Sequence, residues 1–126
     1  MAVDWAEVKS KLNHLKQLED NWDSYGAKAI NSHVCDNAYN ILNKIARFDT
    51  PTPSVVPCAK DTIQFEWHLN GIDLEVEVSL DAIDVLYING SKEEGFEVSC
   101  DLGINKLCRI IDECGDTGKF RLTEVI

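Results

Sequence analysis

A chain of 126 residues, 44% hydrophobic and 27% charged, is expected to fold as a single domain over residues 1–126, and it has no apolar run near the roughly 20 residues that a membrane-crossing helix needs. Its formal charge of −10 is localised: residues 61–101 carry eleven acids against Lys92 alone, while residues 1–60 hold seven of each sign and residues 102–126 hold four of each. Such a field repels phosphate backbones and attracts basic surfaces, so direct nucleic-acid binding is not expected.

In chain order, Asp4 is placed to cap a first helix, with Glu7 completing a capping box. Trp5, Val8, Leu12, Leu15 and Trp22 follow a helical stripe, which predicts a helix over residues 5–20 with one face on the core. The segment NWDSYGA follows, residues 21–27, with two aromatics, short polar turn-formers and a glycine. Read as structure, Asn21 and Gly26 take left-handed positions, Asp23 and Ser24 bond local amides, and Trp22 and Tyr25 pin the loop to the core. Read as function, Trp22, Asp23 and Tyr25 form a recognition loop. A second amphipathic helix is expected over residues 33–47, with Ser32 as N-cap and Val34, Ala38, Ile41, Leu42 and Ile45 facing inward. Residues 49–61 hold all three prolines and read as an extended crossing, with Val55 and Val56 beneath the sheet.

The strongest local signal is TIQFEWHL-NG-IDLEVEVSL, residues 62–80. Asn70-Gly71 supplies the two positive φ angles of a type I′ turn, and a two-residue loop sets the register. Leu69, Trp67, Phe65 and Ile63 then oppose Ile72, Leu74, Val76 and Val78 on an apolar face. On the other face His68 opposes Asp73, Glu66 opposes Glu75, and Gln64 opposes Glu77. A tight turn at Asp81-Ala82 would pair Leu80 with Ile83, Val78 with Val85 and Val76 with Tyr87, giving a third strand over residues 83–88. Asn89-Gly90 starts another reversal, and Phe96 and Val98 suggest a fourth strand. Asp101 can cap a last helix, residues 102–114, with Ile104, Leu107, Cys108 and Ile111 inward, Gly103 weakening its first turn and Gly115 closing it. The tail KFRLTEVI alternates, as an edge strand or a segment pairing with another subunit would. The expectation is an α+β domain: a three- or four-stranded antiparallel meander with two N-terminal helices and one C-terminal helix on one face.

The NWDSYGA loop after an amphipathic helix, a Pro-x-Pro crossing and QFEWHLNGIDLEVEVS together resemble a set of small uncharacterised bacterial and phage-type proteins. In them an N-W-D-x-Y-G-A loop precedes an L-E-W…L-E-I-E-I hairpin. The resemblance covers about residues 5–90 and implies a shared fold and a bacterial or phage cytosolic setting, with no activity attached. Ser24 stands where those proteins most often have glycine.

Five cysteines with no C-x-x-C spacing, and no basic-then-apolar leader, point to reduced thiols in a cytoplasmic protein. The chain has no G-x-S-x-G, no P-loop, no G-x-G-x-x-G and no H-E-x-x-H, so neither catalysis nor a cofactor or metal is expected. The candidate site is the polar sheet face. There Glu66 and Glu75 oppose each other in a close, non-hydrogen-bonded pair, beside His68, Asp73 and Glu77. The assumed register also sets Leu86 opposite Glu77 and Ile88 opposite Glu75, mixing apolar groups into the acids. Three readings follow: a solvated acidic face, a surface for a basic protein, or a divalent cation held by Glu66, His68, Asp73 and Glu75. The favoured one is a non-catalytic acidic interaction protein of antitoxin, inhibitor or nucleic-acid-mimic type, whose basic partner is a nucleic-acid-binding enzyme or toxin. The alternatives are a small-ligand- or metal-dependent enzyme using those carboxylates, and an oligomeric structural protein joined through Leu86, Ile88 and the tail.

Overall fold

The register of the whole sheet starts from the Asn70-Gly71 turn, where both residues are left-handed, φ 55° and 76°. The computed structural model describes residues 5–46 and 50–114. Strands β2 (Thr62–Leu69) and β3 (Ile72–Val78) pair antiparallel in the expected register, from Ile63 opposite Val78 to Leu69 opposite Ile72. Alternation has its expected consequence. Ile63, Phe65, Trp67, Leu74, Val76 and Val78 are buried to 1% or less, and the residues between them are not.

The sheet has five strands in the order β1-β2-β3-β4-β5, all antiparallel, where the sequence suggests three or four. The addition is β1, Ser54–Cys58, within the proline-rich crossing. Proline is tolerated there because β1 is an edge strand, so the amide that Pro57 lacks has no neighbour to satisfy. Trp67 anchors this crossing by donating its indole N–H to the Pro51 carbonyl at 2.8 Å. At the other edge, β5 (Lys92–Glu97) includes the polar stretch that reads as loop, because Gly90, φ 63°, turns the chain tightly enough to pair Asn89 with Lys92.

Strand β4 (Ile83–Asn89) pairs with β3 two residues away from the expected register. Val78 opposes Ile83, Val76 opposes Val85 and Leu74 opposes Tyr87. The two-residue loop is Leu80-Asp81 and not Asp81-Ala82. Ser79 decides this: its N–H donates to the Ala82 carbonyl (2.9 Å) and its hydroxyl accepts from the Ala82 N–H (3.0 Å). Leu86 therefore opposes Glu75, and Ile88 opposes Asp73. The faces are unchanged.

Helices α1 (Trp5–Leu15), α2 (Ser32–Ile45) and α3 (Asp101–Cys114) bury their apolar stripes in one core cluster with the inward strand residues, so all three lie on one face of the sheet. The first helix stops at Leu15, short of the expected residue 20. The N-cap of α2 is Asn31, one residue earlier than expected, and its side chain accepts from the His33 N–H at 2.8 Å. In α3, Gly103 has a packing cause: a Cβ there would lie 3.1 Å from Val98 Cα. A side chain there would have to push the helix and the chain just after β5 a few tenths of an ångström apart. Asp4, Arg47, Gly115 and the KFRLTEVI tail lie outside the described residues. Among those described, no helix is long and apolar enough to cross a membrane.

Candidate interaction surface

With every helix on one side, the opposite side of the sheet is a ladder of outward residues whose neighbours follow from the register. One row runs His68, Asp73, Ile88, Glu93. The next runs Ser54, Glu66, Glu75, Leu86, Gly95, and a third runs Val56, Gln64, Glu77, Asp84, Glu97. The fold thus brings together Glu66, His68, Asp73, Glu75, Glu77, Leu86 and Ile88, as the alternation implies. It adds Val56, Asp84, Glu93, Gly95 and Glu97. The β5 members were readable in principle, since Phe96 and Val98 inward put residues 93, 95 and 97 outward. Val56, expected beneath the sheet, is on this outer face, because β1 pairs Val56 with Gln64.

The carboxylates differ in what they already hold. His68 is clamped between two of them, with Nδ1 2.7 Å from Asp73 Oδ1 and Nε2 3.1 Å from Glu66 Oε1. Both ring nitrogens can donate only in the imidazolium, so the bond to Asp73 first, and that to Glu66 second, raise the His68 pKa above its usual 6.5. Glu66 and Glu75 are opposite as expected, but their carboxylates diverge: Glu66 turns to His68, and Glu75 accepts from Gln64 Nε2 at 3.4 Å. Burial opposes ionisation of Glu77. Even so, the Lys60 ammonium (2.9 Å) and Thr62 hydroxyl (2.8 Å) more than offset it, and its pKa is lowered. Among the described residues, no ammonium or guanidinium pairs with Asp84, Glu93 or Glu97. Nor do three or more His, Cys, Asp or Glu side chains there form a group able to hold a metal ion.

The clamp on His68 carries a sign-definite pH dependence. A raised folded pKa means its stabilisation is complete below about 6.5 and is lost as pH rises through the folded value. The stability advantage of the native chain over His68→Gln should therefore shrink as pH rises from about 6.5 into the alkaline range, modestly, because the pair is half-exposed. Urea midpoints of the two proteins across that range would show it. A constant difference would mean that the carboxylates do not hold an imidazolium.

The NWDSYGA loop satisfies its own polar groups. Asn21, Ser24 and Gly26 are left-handed at φ 67°, 67° and 86°, so Ser24 adopts the conformation that favours glycine. Asn21 accepts from the Gly26 N–H (2.8 Å), and one Asp23 oxygen accepts from the Tyr25 and Ala27 N–H groups (2.9 and 3.0 Å). Those two amide bonds lower the Asp23 pKa. The Trp22 indole donates to the Lys28 carbonyl at 2.8 Å. Trp22 is half-buried outside the core cluster, against the expectation that it continues the stripe of α1, because that helix has already ended. Tyr25 does not pin the loop at all: it is 92% exposed. Of the three recognition candidates, Trp22 and Asp23 are engaged within the loop and Tyr25 alone faces outward.

The five thiols differ in burial, and Cys58 is half-buried. Cys35, Cys108 and Cys114 are buried, and burial first, then the Glu113 carboxylate, push Cys114 up to about 11. Cys100 is exposed at a cleft of about 410 Å³ between α2 and the start of α3, with Asn37, Asn40 and Lys44 but no histidine on its walls. What distinguishes this chain chemically is the mixed acidic face. No family model, curated protein or solved structure matches the chain, so that face and the fold beneath it are what a function must be read from.

Proposed function

We propose that this chain is a non-catalytic interaction protein whose helix-free sheet face receives a basic protein surface, as an antitoxin, inhibitor or nucleic-acid mimic would. The observation carrying this reading is that seven carboxylates (Glu66, Asp73, Glu75, Glu77, Asp84, Glu93, Glu97) share one face with the half-buried Val56, Leu86 and Ile88. A purely solvating face has no use for the aliphatic groups. A lysine or arginine surface does, since its side chains present both methylene stems and cationic heads. The edges favour face-on docking over strand addition. Proline interrupts the donors of β1, and Lys92, Glu93 and Glu97 charge β5, both devices that discourage edge pairing.

The test is titration of the full chain with an extended peptide of alternating arginine and threonine, and with its glutamate counterpart, at two ionic strengths. The arginine peptide should bind and weaken steeply with added salt, and the glutamate peptide should not bind. Indifference to peptide charge or to salt would overturn the reading.

A further inference from the structure

We infer that Gly95 is a seat for one arginine side chain of an extended basic segment in the partner protein, an inference that rests on the reading just given. Gly95 lies outward on β5 directly opposite Leu86, flanked along its own strand by Glu93 and Glu97. Among the described residues, none of the usual structural reasons for a glycine applies. Its φ is not among the positive ones, and its pairing with β4 is unbroken from Asp84–Glu97 to Asn89–Lys92, so there is no bulge. A Cβ added there would meet only the Val85 carbonyl oxygen at 3.7 Å, an ordinary contact. Glycine inside a strand weakens it, and where neither conformation nor packing asks for one, it marks a place that another group approaches closely.

The surroundings define that group. The space left by the missing side chain lies over backbone, with Leu86 as its cross-strand neighbour and Ile88 two residues further along β4. Beyond this apolar patch stand Glu75, Asp84, Glu93 and Glu97, and the last three have no ion-pair partner among the described residues. Of the nearby cations, Lys92 lies over the Tyr87 ring and Lys106 over Phe96 on the other face, with Lys106 also paired to Glu94, while Lys60 is held by Glu77 on this face and reaches Asp84 only through its field. An open apolar patch rimmed by carboxylates, of which Glu93 and Glu97 have no ion-pair partner among the described residues, complements an aliphatic stem ending in a planar, multi-donor cation, which is arginine.

A side chain added at Gly95 separates this seat from general charge attraction. Gly95→Val adds a branched side chain at a strand position with room for it, so the melting temperature should hold or rise. Its affinity for the arginine–threonine peptide should fall at least about ten-fold, with Gly95→Ala intermediate, while Ser54→Val at the far edge of the same row stays within about two-fold of wild type. Leu86 and Ile88 methyl resonances should move on titration of the wild-type chain. If Gly95→Val binds the peptide like wild type while salt still weakens binding, the seat is wrong and the acidic-face reading survives. If the wild-type chain binds no arginine peptide, both fall. Should sedimentation show a wild-type dimer that Gly95→Val dissolves, the occupant is a second copy of this chain and the inference is overturned.

Discussion

Replacing Trp67 with alanine should cost about 3–5 kcal/mol, the usual range for emptying a buried aromatic site. Trp67 is 1% exposed, opposes Leu74 at the centre of the sheet and holds the Pro51 carbonyl through its indole N–H. Its loss therefore opens a cavity and also frees the crossing that delivers β1 to the edge. Urea unfolding followed by far-UV circular dichroism measures this, and a loss below about 1 kcal/mol would contradict the packing. Trp22→Ala is the informative contrast. Trp22 is half-buried and outside the core, and its indole bond to Lys28 carries a net value of only about 0.5–1.5 kcal/mol. Equal losses at the two tryptophans would show that the NWDSYGA loop is part of the core after all.

The triple change Glu75→Gln, Glu93→Gln, Glu97→Gln should raise the melting temperature of the free protein slightly and weaken its binding to the arginine peptide on the order of ten-fold. These three are chosen because removing their charge breaks no ion pair among the described residues, whereas Glu66 holds His68 and Glu77 holds Lys60 and Thr62. In the free protein they mainly repel their neighbours across the sheet. Against a basic partner each becomes one member of an exposed pair, worth about 0.2–1 kcal/mol, so three together span roughly three-fold to a hundred-fold. Calorimetric melting and peptide titration at two salt concentrations read both halves. Unchanged affinity and an unchanged salt dependence would remove these carboxylates from the interface.

Much of this architecture is written in local patterns. Asn70-Gly71 with alternation on both sides determines the central hairpin residue by residue, because a two-residue turn leaves the strands one register. The helical stripes of α2 and α3 likewise name their buried faces, and with them the α+β class. The candidate site was half-legible for the same reason: parity along β2 and β3 separates Glu66, Glu75 and Glu77 from the core without any knowledge of the rest.

Tertiary structure decided what a pattern of period two cannot encode. Alternation detects a slip of one residue, which would reverse the faces, but it is blind to a slip of two. Ser79 bonding to Ala82 was therefore needed to put Leu86 against Glu75 and Ile88 against Asp73. The place of a strand in the sheet is equally invisible locally. Pro57 argues against a strand until β1 is known to lie at an edge, where a missing donor costs nothing. Helical periodicity does not register that α1 stops at Leu15 and passes into i→i−3 turns at Gln17 and Leu18, nor that Asn21 and Asp23 then close a separate loop around Trp22. Gly95 and Gly103 show the same division. Both look like weak points in their elements, and only the neighbours supplied by the fold separate them: Val98 crowds a side chain at 103, and no described residue crowds one at 95.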